Sequence, residues 1–301
     1  MSRLEKPRFS IVIPCYNEAD FISATLQSLI NQRTTEKYEI IVVDNNCTDE
    51  TVKIAKSFGA KIITEKMRGV CWARQAGTER ASGEIIISTD ADTTFSPDWL
   101  SIIDSEFRQD DQVVAVSGLC RFYDAPWWEP IYTNFLLYSV RLYNIVVGHP
   151  CYISAANTAF KKSAWQGYDV AMTQGGDELD LLRQLRQCGK VQFVHSNTVF
   201  TSARRLKKGL LYNLLVSLLF YYFGAYYINK VFKKPVIGTA PAFRKDLSAQ
   251  SINPLNSVLA MCAMSALVSI TMLVPYLRNV LLGTAYGLGD ITVDALRFVI
   301  R

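Results

Sequence analysis

The sequence predicts an α/β fold: a mainly parallel, doubly wound sheet that is followed by an apolar helical region. Two observations lead to this prediction. Short apolar runs alternate with amphipathic helical patterns as far as Gly118, which is typical of β-α-β units. Beyond residue 205, longer apolar segments are interspersed with lysine and arginine. A chain of 301 residues, 50% of them hydrophobic, is long enough for one large domain and an appendage.

Five apolar runs in the first part are predicted to be buried strands, because they are short and bounded by polar or turn residues. They cover residues 9–14, 38–43, 60–64, 85–87 and 113–118. Helices are expected between them; the first carries Ile22, Leu26 and Leu29 on one stripe, and the fourth begins at Ser96-Pro97. Strict alternation of this kind favours parallel strands joined by right-handed crossovers.

The pattern changes after residue 118. A long aromatic-rich helix is expected over residues 126–147, a strand-like run over 155–161, an amphipathic helix over 178–188 and a last strand over 191–194. We therefore predict one domain over residues 1–205 and a hydrophobic helical region over residues 206–301.

The most informative stretch is the strand 85–87 with the acids that follow it, Asp90 and Asp92. Ligands bind beyond the carboxyl ends of parallel strands, and charge at such a position requires compensation. Two carboxylates separated by one residue can face one hard cation, and Mg²⁺ often combines one or two carboxylates with substrate phosphates. The pair therefore suggests a metal-bound diphosphate, although Asp-x-Asp alone is weak evidence because such pairs are common in turns.

Two apolar segments follow residue 205. The first, about 210–228, is rich in Leu, Phe and Tyr, and we predict that it lies in the membrane interface. The second, about 258–277, is uncharged and long enough to span a bilayer. The lysines and arginines between them, together with a polar N-terminus, predict that the N-terminal domain lies on the cytoplasmic side of the cell membrane. The alternative is that both segments are buried helices of a soluble subdomain or an oligomer interface.

Composition argues against two other classes of protein. The net charge of +5 is modest, and neither a basic recognition helix nor an aromatic RNA-binding motif is present, so no nucleic-acid partner is predicted. Seven cysteines include no Cys-x-x-Cys pair and only two histidines accompany them, so a zinc site is not predicted.

Several motifs occur in a fixed order along the chain. They are Ile11-Val-Ile-Pro-Cys-Tyr-Asn-Glu18, Val42-Val-Asp-Asn-Asn-Cys-Thr-Asp49, Arg68-Gly69, Ala73-Arg74, Asp90-Ala-Asp92, Ala155-Ala-Asn-Thr-Ala-Phe160 and Gly175-Gly-Asp-Glu-Leu-Asp-Leu-Leu-Arg183. This ordered set resembles the family 2 glycosyltransferases, which have the GT-A fold, a Rossmann-like α/β sheet. The resemblance covers about the first two-thirds of the chain.

The resemblance implies a nucleoside-diphosphate sugar donor, a divalent metal (Mg²⁺ or Mn²⁺) and inversion at the anomeric carbon. It also assigns expected roles by position. On the nucleotide side, Pro14, Tyr16 and Glu18 would line the pocket, Asp44 would contact the base or ribose, and Arg74 would approach the nucleotide. Asp90 would meet the sugar or ribose and share the metal site, and Asp92 would bind the metal. Arg204 and Arg205 would hold the diphosphate.

The acidic pair Asp177-Glu178 is the expected general-base region, because an attacking hydroxyl must lose its proton as the new bond forms. The family usually has Glu-Asp here, and this chain has the reverse order. Glu178 occupies the usual position of the base, and Asp177 remains the alternative.

Structural explanations remain open for each of these residues. Asp44 can form a turn with the asparagines that follow it, and Glu18 and Asp177 can stabilise helix N-termini. Arg74 can be a solvated helix residue, while Arg204 and Arg205 can belong to a basic patch at the membrane surface.

The predicted function is a membrane-associated, metal-assisted, inverting glycosyltransferase whose acceptor is a hydroxyl of a lipid or lipid-linked saccharide. Three alternatives remain. A polyprenyl-phosphate acceptor would need no base, a sugar nucleotidyltransferase would share a similar sheet, and a membrane scaffold would retain the fold without activity.

Overall fold

The computed structural model describes residues 6–172, 176–234 and 236–238. The predicted spanning segment 258–277 lies outside the described residues, and so does the basic linker from residue 239 onward. The described part is a mixed α/β fold built on one curled, mainly parallel sheet, as the sequence predicts.

Eight strands form the sheet, in the order β3-β2-β1-β4-β7-β6-β8-β5. Strands β3, β2, β1 and β4 are mutually parallel, and β6 is parallel to β8. Strand β7 runs antiparallel between β4 and β6, and β5 is antiparallel to β8. The bounds are β1 Phe9–Cys15, β2 Tyr38–Asp44, β3 Lys61–Thr64, β4 Ile85–Ser88, β5 Thr93–Phe95, β6 Val113–Tyr123, β7 Thr158–Lys161 and β8 Lys190–Ser202.

Helices cover both faces of the sheet. The bounds are α1 Ala19–Ile30, α2 Thr51–Ser57, α3 Val70–Arg80, α4 Trp99–Gln109, α5 Glu129–Val147, α6 Leu181–Cys188 and α7 Ala225–Phe232. Two π-helical segments precede α6 and α7, over Gly176–Asp180 and Tyr212–Gly224. One face buries α1 and α4 residues such as Leu26 and Trp99, and the other buries Leu185 of α6 against Phe160. The chain is therefore doubly wound, as predicted.

The last two long strands extend beyond their predicted ends. β8 continues to Ser202 and β6 to Tyr123, with a break in their pairing beside Gly118. A Cβ on Gly118 would lie 1.9 Å from the carbonyl oxygen of Asn197, so only glycine allows this close approach. The sequence did not predict the extension, because the polar residues 195–198 interrupt β8 and the irregularity at Gly118 interrupts β6. It is functionally relevant, because it carries Thr201 and Arg204 to the edge where β4 ends.

The apolar helix Tyr212–Phe232 packs against the α/β part of the chain. Residues Tyr212–Phe232 form one helix of 21 residues, the one among the described residues that is long and apolar enough to cross a membrane. Only 25% of its most apolar stretch is buried. Leu214, Tyr226 and Asn229 are buried, whereas Leu215, Val231 and Phe232 are exposed. Helix α5 also exposes an apolar stripe, formed by Ile131, Phe135, Tyr138, Leu142 and Ile145.

Candidate active site

The strand ends converge as the parallel arrangement requires. Cys15 at the end of β1 is paired with Asp44 at the end of β2, and Ser88 at the end of β4 is paired with Val12 of β1. The segments 16–18, 44–47 and 88–92 therefore share one edge of the sheet. This edge carries most of the residues that the sequence nominates.

Arg74 lies at the centre of the site. Its side chain is 2% exposed, and helix α3 directs it beneath the end of β4. Its Nη2 donates to Asp90 Oδ1 at 2.7 Å, and its Nε donates to Asp177 Oδ2 at 2.9 Å. Its Nη1 donates to the Ser88 hydroxyl. A buried charge needs such compensation. Arg74 is therefore a fixed centre between two acids and not a solvated helix residue.

A second arginine holds the other acids of the same edge. Arg204 follows β8, and its guanidinium binds Glu18 through two hydrogen bonds, Nη1 to Oε2 at 2.7 Å and Nη2 to Oε1 at 3.0 Å. The same Nη2 lies 2.8 Å from Asp92 Oδ2. The guanidinium also lies over the ring of Phe21, 4.8 Å from its centroid. Glu18 thus has an ion-pair partner from the opposite end of the domain.

The acids Asp90 and Asp92 lie in different environments. The side chain of Asp90 is 40% exposed, whereas that of Asp92 is 9% exposed. Burial raises the pKa of Asp92 to about 6, while Arg204 and a 3.0 Å hydrogen bond from the Thr201 hydroxyl act in the opposite direction. A carboxylate that loses its hydration is poorly stabilised unless cations approach it. Asp92 is therefore a buried acid whose ionised form is stabilised by Arg204 and Thr201.

Asp90 and Asp92 offer carboxylate oxygens to a divalent cation. Carboxylate oxygens are the hard ligands that Mg²⁺ and Mn²⁺ prefer. Within the part of the chain that the structure describes, no group of three or more His, Cys, Asp and Glu side chains is arranged to hold a metal. The two aspartates fit a cation that takes its other ligands from a bound diphosphate and water.

The acidic pair Asp177-Glu178 lies on the π-helical segment Gly176–Asp180. Asp177 is committed to Arg74, so its carboxylate is already paired. Glu178 accepts a hydrogen bond from the Ala155 amide through Oε1 at 2.9 Å. Desolvation raises the pKa of Glu178 to about 7, and the neighbouring charge of Asp177 adds to the effect. A pKa near 7 suits a general base.

The nucleotide side is formed by the ends of β1 and β2. Asp44 accepts a hydrogen bond from the Cys47 amide through Oδ1 at 2.8 Å, so it does form the turn that the sequence left open. Asn45 fixes the neighbouring loop by donating to the carbonyl oxygens of Glu65 and Met67. Its own Oδ1 accepts the Gly69 amide at 2.9 Å. These contacts fix the loop that forms a wall beside the end of β1.

An aromatic ring and an arginine face each other at this wall. The guanidinium of Arg68 lies 4.6 Å from the ring centroid of Tyr16 and also donates to its hydroxyl. Pro14 is partly buried, whereas the other residues of β1 are buried. Arg205 is exposed and contributes a backbone carbonyl, which accepts from Asn213 at 3.1 Å, and not a side-chain contact with the acids. Arg68 belongs to one of the sequence motifs, but no role was predicted for it. Thr201 was not predicted as a site residue.

The comparisons with known proteins agree with this fold. The family described as Glycosyl transferase family 2 matches residues 10–167, just over half of the chain. Glycosyltransferase AglE of Haloferax volcanii is 36% identical over 101 residues, which are 31% of this chain and 33% of that relative. The chain spans about a third of the length of the curated relatives that it matches.

Two solved structures share the fold. The mannosyltransferase PcManGT from Pyrobaculum calidifontis, in complex with GDP-Man and Mn²⁺, has a TM-score of 0.56 and 19% identity, with 99% of this chain and 85% of that chain covered. S. aureus TarS 1-349 in complex with UDP has a TM-score of 0.52 and 14% identity, with 75% and 72% covered. At these identities the likeness shows only the fold. That fold is the GT-A fold, which the motifs also imply. The chain therefore belongs to glycosyl transferase family 2.

Proposed function

We propose that this protein is an inverting glycosyltransferase that moves a sugar from a nucleoside-diphosphate sugar to a hydroxyl group. One observation carries the proposal. The buried guanidinium of Arg74 binds Asp90 and Asp177 together, so the acid at the end of β4 and the base-bearing turn form one network. Glu178, with a pKa near 7, adjoins that network.

The donor is proposed to bind along the edge formed by β1, β2 and β4. Tyr16 and Pro14 line the nucleotide pocket, and Asp44 accepts a hydrogen bond from the base or ribose. Asp90 faces the ribose or sugar. Arg204 and Arg205 provide positive charge for the diphosphate, and Glu18 and Arg74 hold neighbouring groups in position. The complexes of PcManGT with GDP-Man and of TarS with UDP support a donor of this class.

Asp92, with Asp90, is the proposed ligand set for Mg²⁺ or Mn²⁺. Bound there, the cation would neutralise charge on the leaving diphosphate. The Mn²⁺ in the PcManGT complex is consistent with this assignment. Burial raises the pKa of Asp92, so a cation bound beside it would stabilise the ionised carboxylate.

Glu178 is the proposed base, with Asp177 as the alternative. The acceptor oxygen attacks the anomeric carbon from the face opposite the diphosphate, and its proton passes to the Glu178 carboxylate as the C–O bond to the diphosphate breaks. One displacement inverts the anomeric carbon and releases the nucleoside diphosphate. The amide of Ala155 holds Oε1 of Glu178, which leaves the carboxylate oriented for this transfer.

The proposed acceptor is a lipid or lipid-linked saccharide at the cell membrane, with the catalytic part on the cytoplasmic side. The support is the exposed apolar surface: the stripe on α5 and the outer face of Tyr212–Phe232, including Leu215, Phe220 and Val231. Contiguous apolar patches of this kind mark membrane or partner contacts. The helix lies alongside the catalytic part, which favours an interfacial position for it.

The donor is tested first by thermal unfolding. UDP-glucose, UDP-GlcNAc, GDP-mannose and dTDP-glucose are each added with Mn²⁺, Mg²⁺ or EDTA. A ligand that binds only the folded chain raises Tm. We expect one nucleotide class to raise Tm with metal but not with EDTA, and Asp92→Ala to abolish the difference. Absence of a shift with every donor would contradict the proposal.

The acceptor class is tested with Glu178→Gln and the preferred donor. Transfer of radiolabelled sugar into a lipid extract is compared with transfer to a short polyprenyl phosphate. A hydroxyl acceptor predicts a rate loss of about 10²–10⁴-fold in the variant. A variant that keeps its rate with polyprenyl phosphate would establish the phosphate-acceptor alternative instead.

A further inference from the structure

Arg204 is shared unequally between two acids of the proposed donor site. Both of its contacts with Glu18 are hydrogen bonds, at 2.7 and 3.0 Å, so guanidinium and carboxylate form a two-point pair. Its contact with Asp92 is an ion pair at 2.8 Å, made by the same Nη2 that donates to Glu18. Because Glu18 alone holds two of its N–H groups, Arg204 can release Asp92 and keep its principal partner.

Both carboxylate oxygens of Asp92 are engaged. Oδ1 accepts the Thr201 hydroxyl at 3.0 Å, and Oδ2 lies against Arg204. Each carboxylate oxygen can accept more than one partner, so the neutral Thr201 hydroxyl can stay when a ligand binds. A guanidinium and a divalent cation that share one oxygen repel each other, because both are positive. Arg204 is thus the contact that opposes uptake of a cation by Asp92.

The backbone around Asp92 is fixed by two hydroxyl groups. Thr25 donates to the Ala91 carbonyl at 2.7 Å, and Tyr123 donates to the Asp92 carbonyl at 3.2 Å. The Arg204 side chain is longer, has more rotatable bonds and is 16% exposed, against 9% for that of Asp92. A change of partners at Asp92 therefore requires movement of the arginine side chain and not of the acid.

A diphosphate can replace the acid that Arg204 gives up. A guanidinium binds phosphate oxygens as it binds carboxylate oxygens, through paired N–H groups. Arg204 already reaches the acids that follow β1 and β4, which form the edge where the donor is proposed to bind. Turned toward the diphosphate, its Nη2 would contribute positive charge to the same leaving group as the cation on Asp92.

From this geometry we propose that Arg204 exchanges Asp92 for the donor diphosphate as Asp92 takes up the cation, while Glu18 keeps hold of the guanidinium. The inference rests on the proposed function, and specifically on Asp92 as a ligand of the metal. With metal alone, Arg204 loses an acid and gains no anion. With nucleotide alone, it stays divided between Asp92 and the diphosphate. Arg204 therefore makes metal and nucleotide strengthen each other's binding, and this coupling is reciprocal.

The test measures the two ligands separately, by isothermal titration calorimetry on the full chain. In Arg204→Ala we expect Mn²⁺ alone to bind about tenfold or more tightly than in the parent, because the guanidinium no longer opposes it. UDP or GDP, whichever raises Tm more with Mn²⁺, should bind about tenfold or more weakly at saturating Mn²⁺. An arginine that only held the two acids in place would weaken both ligands on its removal, so the opposite signs are diagnostic.

Three companion variants sharpen the measurement. Arg121→Ala removes the same charge from a side chain that donates to Asn134, and its Kd for Mn²⁺ alone should stay within about twofold of the parent. Asp92→Asn, added to Arg204→Ala, should abolish the gain in Mn²⁺ affinity; a gain that persists places the cation at another acid and overturns the exchange. Arg204→Gln keeps a hydrogen-bond donor without the charge, so it should match Arg204→Ala and takes its place if that variant does not fold.

Asp92→Asn on its own separates the two ways of failing. If nucleotide binding depends on Mn²⁺ as much in Asp92→Asn as in the parent, the metal assignment is wrong and the proposed function must be revised. If Asp92→Asn loses that dependence but Arg204→Ala binds Mn²⁺ alone no more tightly than the parent, the exchange is wrong and the function stands. The absence of measurable Mn²⁺ binding to Arg204→Ala would have the same meaning.

Discussion

Two arginines hold the site, and they do so in contrasting ways. Arg74 is 2% exposed, and it binds Asp90 and Asp177 together with groups of the backbone. Arg204 is 16% exposed, and it binds Glu18 and Asp92 from the end of a strand while lying on an aromatic ring. The guanidinium of Arg74 is enclosed by the sheet and α3, although its partner Asp90 is 40% exposed, whereas the guanidinium of Arg204 lies nearer the rim.

The two clusters differ in how easily water or a ligand can replace a lost ion-pair contact. An ion network that is sealed from water must be complete, because removal of one member leaves a buried charge without a partner. A network at the rim can exchange partners, because water and a ligand can replace a lost contact. We therefore expect Arg74 to govern stability and the relative position of donor and base, and Arg204 to govern how an anionic donor is bound.

The largest expected effect is that of Arg74→Ala on folding. The variant leaves Asp177 buried beside an empty site, so we expect the free energy of unfolding to fall by ~3–5 kcal/mol. Urea unfolding followed by far-UV circular dichroism measures it. The control is Arg80→Ala on the exposed face of the same helix, which should change stability by about 0.5 kcal/mol or less. Equal losses in both variants would contradict the contrast.

The pH dependence of stability gives a second test of the enclosed cluster. Because the folded-state pKa of Glu178 is raised from 4.5 to about 7, the folded chain binds the proton more tightly than the unfolded chain. Its contribution is therefore most favourable below pH 4.5 and is lost as pH rises through 7. In Glu178→Gln we expect the fall in unfolding free energy between pH 4.5 and pH 7.5 to be smaller than in the parent, by up to about 3 kcal/mol. Equal slopes for parent and variant between pH 4.5 and 7.5 would show that Glu178 does not titrate as described.

At the rim, Arg204→Ala should affect donor binding more than folding. The cost in unfolding free energy should be about 1–3 kcal/mol: Glu18 and Asp92 are buried, but the removal of the partly exposed Arg204 side chain leaves a space that water can enter. The Kd for the preferred nucleoside diphosphate, measured by isothermal titration calorimetry, should rise by about tenfold or more as one charged contact is lost. Arg205→Ala serves as the comparison: its exposed guanidinium is also proposed to meet the diphosphate. An unchanged Kd in Arg204→Ala would remove this arginine from the donor site.

The smallest effect concerns a single hydroxyl of the rim cluster. Thr201→Val removes the 3.0 Å hydrogen bond to Asp92 Oδ1 and leaves the shape of the side chain almost unchanged. We expect a stability loss of about 1 kcal/mol. Ser88→Ala, which removes the hydroxyl that faces Arg74, should cost more because that site is enclosed. The reverse order, measured by thermal unfolding, would weaken the distinction between the two clusters.

Parts of the fold follow closely from the sequence pattern. β1, β2 and β4 are short apolar runs with polar residues directly after them, and parallel strands bring their carboxyl ends to one edge. This is why Asp44, Asp90 and Asp92 were predicted together. β5 was missed because three residues do not form a periodic pattern, and the antiparallel direction of β7 has no signal in its four residues.

The site also shows where pattern reasoning ends. Asp177 and Glu178 look alike in the sequence, and only their surroundings differ. Asp177 is paired with Arg74, 103 residues earlier in the chain, while Glu178 accepts a hydrogen bond from the Ala155 amide. No local pattern encodes such contacts, because they depend on how helices and strands pack.

By itself, the sequence determined the alternation of strands and helices, the edge at which the acids gather and the family to which their order belongs. These are consequences of periodicity and spacing, which are local properties of the chain. Only the tertiary structure decided that Arg74 is enclosed while Arg204 lies at the rim, and that a helix near the C-terminus reaches the acidic turn. Those outcomes depend on burial and on contacts between residues far apart in the chain, and desolvation is what turns such contacts into shifted pKa values and fixed geometry.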